Sequence, residues 1–268
     1  MNMRKFIDEY ELKVDGVSFW TPYYMAPVHT KENPNPKPGP LKGKGSPAEI
    51  TQVLLEELAD KRLKDGEEYR KFMHGIGLGV ECSGFMYFVL DQALKSRGIR
   101  LADCLYKSRE QMLEIYDNPV LTPPAGLNRG AVEAYPDAVP LSQIQKDWGN
   151  QPRNIADMAT IASPLANDCF DDVSGIKPGD MIYMTGHDGI PHAVLVVKVK
   201  KDVIEFVHSG GPHGKKDYYG GVEYGSIDIT DPAQPIEKQE WHSRFDFVQT
   251  THYFEPKALR RLKVLAGG

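Results

Sequence analysis

The chain has 268 residues, a formal net charge of −5, and 41% hydrophobic against 26% charged residues. That is an ordinary globular composition with enough length to bury a large core. The balance lacks the basic footprint of a nucleic-acid binder, and apolar runs such as AVLVV at 193–197 are far too short to cross a bilayer. Neither nucleic acid nor a membrane span is expected; oligomeric state is not legible. The opening MNMRKFIDEYELKVDG has neither the apolar core nor the cleavage site of a signal peptide. The expectation is a cytoplasmic protein, one exported by a non-classical route, or one whose leader is not in this sequence. Three cysteines, Cys82, Cys104 and Cys169, without CxxC spacing argue against a disulfide framework and a zinc knuckle.

In chain order, the aromatic cluster FWTPYYM at 19–25 reads equally as core or as cleft wall. A Pro-, Gly- and Lys-rich stretch at about 31–47 reads as a long, mobile surface loop. Ser46, Pro47 and Glu49 then occupy the N-cap, N1 and N3 positions of a capping box. Ile50, Val53, Leu54, Ala59 and Leu63 follow at near-helical spacing, and Gly66 is the expected stop. A second helix is expected from Cys82, with Phe85, Phe88, Val89 and Ala93 repeating at three and four and Gly98 as its C-terminal stop. Residues about 104–172 read as a partly helical insertion.

After 175 the pattern turns to strands. KPGDMIYMTG reads as a turn and a strand, and PHAVLVVKVKKDVIEFVHSGG as a hairpin turning at Lys201–Asp202. FDFVQTTHYFEP at 245–256 reads as a strand that stops at Pro256. Helices followed by antiparallel strands give an α+β class, read as a single domain over 1–268.

Cys82 has two readings: a small buried filler, or a nucleophile whose thiolate is favoured by the N-terminus of a helix. A nucleophilic reading needs a base and an orienter. In the hairpin, antiparallel pairing puts positions summing to about 402 opposite each other. His192 and His208 then lie one diagonal step apart on one face; His187 is the substitute base if the register differs. Four histidines, His187, His192, His208 and His213, crowd this region. They lack helical i, i+4 spacing with an acidic partner, so no metal is expected. Cys104 and Cys169 read as filler. The glycine-rich loop at 209–226, with Tyr218, Tyr219 and Tyr224, reads as a cleft rim or as a plain exposed hairpin.

These residues carry a resemblance. GVECSGF is similar to the Gly-x-Asp-Cys-Ser-Gly-Phe/Leu nucleophile motif of the NlpC/P60 cysteine peptidases, with Glu81 in place of Asp. IKPGDMIYMTGHDGIPHAVLVVKV resembles that family's PGD segment and histidine strand, EFVHSGG the stretch with its third polar residue, and TPYYM its upstream TPY. The resemblance implies a papain-like fold in which the cysteine helix packs on an antiparallel sheet. It implies Cys82 as nucleophile, His192 as general base and acid, His208 as orienter, and Tyr23 and Ser83 as substrate or oxyanion contacts. It further implies hydrolysis of amide bonds in peptides or peptidoglycan fragments, without a cofactor. A CHAP-like amidase with a different third residue, an acyl-transferase and a catalytically inactive binding module stay open.

Overall fold

The computed structural model describes residues 2–26, 39–117, 128–149, 151–186, 189–211, 219–243 and 254–266. A short helix α1 (Arg4–Asp8) precedes a hairpin of β1 (Glu11–Val14) and β2 (Val17–Trp20). The hairpin turns at Asp15 and Gly16, both at positive φ, the two-residue Asp-Gly turn that suits strand twist.

Helix α2 (Pro47–Leu58) starts at the expected capping box: Glu49 Oε2 accepts the Ser46 amide at 2.9 Å. Arg153 clamps the same carboxylate, with Nη2 2.6 Å from Oε1. The helix is shorter than its sequence spacing implies. Ala59 at φ 48 breaks it, and Gly66 opens the next helix, α3 (Gly66–Gly75), behind an Asp65 N-cap that accepts the Glu68 amide at 3.0 Å. Helix α4 (Cys82–Lys95) begins at Cys82 as expected and is buried on nearly every side.

The stretch at 104–172 is partly helical, as expected. Helix α5 (Leu101–Cys104) leads into it, and it contains β3 (Tyr106–Ser108), α6 (Arg109–Asp117), α7 (Arg129–Glu133), β4 (Ala138–Pro140), α8 (Leu141–Trp148), α9 (Pro152–Ile155) and α10 (Met158–Ile161). Lys107, buried in β3, reaches Asp157 at 3.0 Å and Thr160 at 2.7 Å, which ties the two ends of this stretch together.

The main sheet follows: β5 (Asn167–Phe170), β6 (Met181–Gly186), β7 (Pro191–Lys200), β8 (Val203–Gly210), β9 (Gly221–Asp228), β10 (Glu240–Ser243) and β11 (Phe254–Leu262), closed by α11 (Lys263–Ala266). Its order is β10-β9-β8-β7-β6-β11-β5, antiparallel throughout. The protein is therefore mixed α+β with an antiparallel sheet. The β7–β8 turn falls at Lys201–Asp202. Leu195 faces Val207 and Val196 faces Phe206, the expected register, before a bulge shifts it by one at Lys198. The last strand differs from expectation: residues 244–253 lie outside the described residues, and β11 runs through Pro256 to Leu262 inside the sheet. A register irregularity between Pro256 and Ala258 accommodates the missing amide.

Both faces of the sheet are covered. Ala193, Leu195 and Val207 face the large core that contains α4, whereas Val194, Val196, Ile204 and Phe206 face a smaller core closed by Ile236 and Trp241. The PGD turn fixes where β6 enters: buried Asp180 accepts the Lys177 amide at 2.7 Å and two bonds from Arg261 of β11, at 2.8 and 2.6 Å. Among the described residues no helix is long and apolar enough to cross a membrane.

Two outcomes are expected. Arg261→Ala strands the Asp180 charge and costs about 3 kcal/mol in urea unfolding. The Arg153 guanidinium, helped by Ser46 and opposed by partial burial, holds the Glu49 carboxyl at about 2, below its ordinary 4.5. A lowered folded-state value stabilises above the unfolded one, so this contribution is lost as pH falls from about 4.5 to about 2. Arg153→Met therefore flattens the stability profile across that window.

Candidate active site

The approach to α4 is crowded by three backbone segments. Val80 donates its amide to Pro22 at 3.0 Å and accepts the Tyr24 amide at 3.4 Å, so the TPY segment lies alongside it. Lys44 pairs with Val80 in an isolated antiparallel bridge, and Glu81 donates to the Gly43 carbonyl at 3.0 Å. The Ser209 hydroxyl, next to His208, donates to the Val80 carbonyl at 2.7 Å. Residues 39–47, expected as part of a mobile loop, instead form a strap packed on the first turn of α4; 31–38 lie outside the described residues. A Cβ on Gly84 would stand 2.3 Å from the Gly43 carbonyl oxygen, and one on Gly39 1.7 Å from that of Gly77. Only glycines allow this approach.

Cys82 is buried, 7% exposed, at the first position of α4. Its sulfur lies 3.9 Å from Glu81 Oε2. Burial pushes the thiol well above its ordinary value and the Glu81 carboxylate pushes the same way, while the Lys44 ammonium and the amides of Ser83 and Cys82 pull against them. The expectation that the helix N-terminus favours the thiolate is thus overturned. Two amides do not offset burial, and the group is a thiol at neutral pH.

His192 and His208 are both buried, and His192 Nε2 lies 3.0 Å from His208 Nδ1 with the rings nearly perpendicular, at 80°. The register explains the meeting: His192 faces Met184 on β6, and on β8 His208 stands two residues from the position opposite His192. Both side chains share the parity of Val194 and Phe206, so they cap the end of the smaller core, while α4 packs on the other face. Among the described residues no hydrogen bond joins Cys82 to His192; the Ser209–Val80 bond ties the histidine-bearing strand to the cysteine segment.

Tyr23 is half-buried. Its amide donates to the Tyr219 carbonyl at 3.1 Å, its hydroxyl approaches Met25 Sδ at 3.7 Å, and its ring edge is 3.5 Å from where a Cβ on Gly211 would stand, just past β8. Ser83 is buried, with its hydroxyl engaged by Glu81 and Lys44. Lys44 also pairs with Glu81 and donates to the Ala156 carbonyl at 2.8 Å. Sequence reasoning missed this lysine; GPLKGKGSP carries no signal that a cation there turns inward. His187, His213 and Tyr218 lie outside the described residues. Tyr224 is half-buried under Arg4, 4.2 Å from its ring centroid, and Cys104 and Cys169 are half-buried and exposed free thiols.

A cavity of about 510 Å³ runs along α4 past Lys44, Tyr87, Asp91 and Arg153; His192, His208 and Tyr23 do not line it. The metal-ligand type cluster found among the described residues is Asp228, Glu240 and His242, exposed or half-exposed on β9 and β10, away from the histidine pair. In comparisons with family models, with curated proteins and with solved structures, nothing matches this chain.

The packing predicts an inverted sign for one substitution. Gly84→Ala stabilises an ordinary helix interior by about 0.5–1 kcal/mol. Here it costs about 1–3 kcal/mol in chemical denaturation, because the new methyl meets a carbonyl held by the strap.

Proposed function

We propose that the protein is a papain-like thiol hydrolase of NlpC/P60 type that cleaves amide bonds in peptides or peptidoglycan fragments. The observation that carries this reading is the buried His192–His208 pair, 3.0 Å apart at the strand end bonded to the cysteine segment. Two imidazoles in contact inside a core are an expensive arrangement, and a base with its orienter gives them a reason to be there.

With the proton on His192 Nε2 donated to His208 Nδ1, the lone pair of His192 is on Nδ1. Because Cys82 rests as a thiol, His192 takes its proton as the sulfur attacks the substrate carbonyl. The same proton passes to the leaving amine as the C–N bond breaks. Water, deprotonated by His192, then attacks the thioester, and the proton held on His192 passes to the departing sulfur. The Cys82 amide at the helix start is a donor for the oxyanion. Substrate must draw Cys82 and His192 together, as catalytic hydrogen bonds commonly tighten only in the complex. A histidine in contact with His192 favours a Cys–His–His arrangement over the CHAP-like one.

One observation favours a second reading. A buried thiol bonded toward Glu81 suits an inactive binding module on the same scaffold. The test is turnover of synthetic cell-wall stem peptides followed by mass spectrometry, with site-resolved iodoacetamide labelling of Cys82 across pH. The hydrolase reading expects Cys82→Ser to abolish cleavage and His192→Ala to lower it about 10²- to 10⁴-fold, with slower Cys82 labelling. No cleavage in the wild type, together with Cys82 labelling indifferent to His192→Ala, would leave the binding module.

A further inference from the structure

We propose that Lys44 is a positioning residue for Cys82: its ammonium neutralises the Glu81 carboxylate and fixes Ser83, so that no uncompensated negative charge faces the sulfur. The inference rests on the reading of Cys82 as nucleophile.

The geometry is specific. Lys44 Nζ meets Glu81, the Ser83 hydroxyl and the Ala156 carbonyl, three acceptors for its three N–H donors. The ion pair is largely buried, with 15% and 11% of the two side chains exposed. Such a pair, once broken, leaves a costly lone charge. Glu81 is the N-cap residue of α4, yet its side chain makes no cap bond to the helix. One carboxylate oxygen points to Lys44 and Ser83, and the other is 3.9 Å from the Cys82 sulfur. A negative charge at that distance opposes formation of a thiolate, and an adjacent ammonium opposes the carboxylate. The charged groups acting on Cys82 are Glu81 and Lys44; the strands packed against α4 carry His192 and His208 near their ends at the cysteine segment, and Lys198, Lys200 and Glu205 toward the far turn. The Ala156 contact comes from the partly helical stretch between α4 and the sheet, which gives that insertion a role in setting the nucleophile.

The test is the rate of Cys82 alkylation by iodoacetamide at pH 8 and across the pH range in the intact protein. It compares wild type, Lys44→Met, Glu81→Gln and the double variant, each checked for folding by thermal melting. Lys44→Met is expected to slow Cys82 about tenfold, the effect of one unit in thiol acidity. Glu81→Gln is expected to speed it by a similar factor, and the double variant to return within about threefold of wild type. A merely structural pair gives the opposite pattern, both single variants moving the rate the same way or not at all, and that result overturns the proposal. If Lys44→Met does not fold, Glu81→Gln alone decides: acceleration supports the assignment, and no change or slowing removes it. Because alkylation needs no substrate, this outcome is separable from the hydrolase reading, which fails on absent turnover and indifference to His192→Ala.

Discussion

Close approach of backbones at the start of α4 is the constraint around which the other elements are arranged. A helix buried on nearly every side leaves little room at its first turn, and three segments must pass there: the strap at 39–47, the TPY segment and the end of β8. Val80 bonds to Pro22, Tyr24 and Ser209 and bridges to Lys44. Gly39, Gly43, Gly77, Gly79 and Gly84 have no side chains to keep these strands of chain apart. Everything that bears on Cys82 enters through this junction.

The same crowding sets the chemistry. Cys82 is buried, so its thiol is hard to ionise, and the carboxylate next door is matched by a cation from another segment. The histidines are handled differently. They share the parity of Val194 and Phe206, on the other face of the pleat, where each ring meets the other at hydrogen-bond distance. Cys82 packs into the large core and the histidines share the parity of the smaller one, and the strand end at Ser209 is where the two come together.

Much of this was legible in the chain. The Ser46–Glu49 box, the start of α4 at Cys82 and the Lys201–Asp202 turn are local patterns whose causes lie within four residues of one another. The register that brings His192 to His208 follows from that turn by arithmetic. The misses have equally physical causes. Ala59 adopts a positive φ that its side chain does not favour, so α2 stops before its apolar periodicity does. Asp15–Gly16 is a hairpin signal passed over among aromatic residues. Pro256 reads as a terminator, yet a bulge carries the strand past it. Lys44 was illegible because its partners are 37, 39 and 112 residues away, and a lysine among glycines and prolines looks the same whether it faces water or a carboxylate.

The order of strands carries a consequence for synthesis. The strands β6 to β9 pair in the order they leave the ribosome, each with its predecessor. By contrast β5, near residue 170, pairs among the described residues only with β11, which ends at Leu262. The nascent chain therefore holds β5, and one edge of β6, without their sheet partner until β11 has emerged. Completion of the sheet therefore waits on a strand far along the chain from β5, and β11 is the piece that closes it.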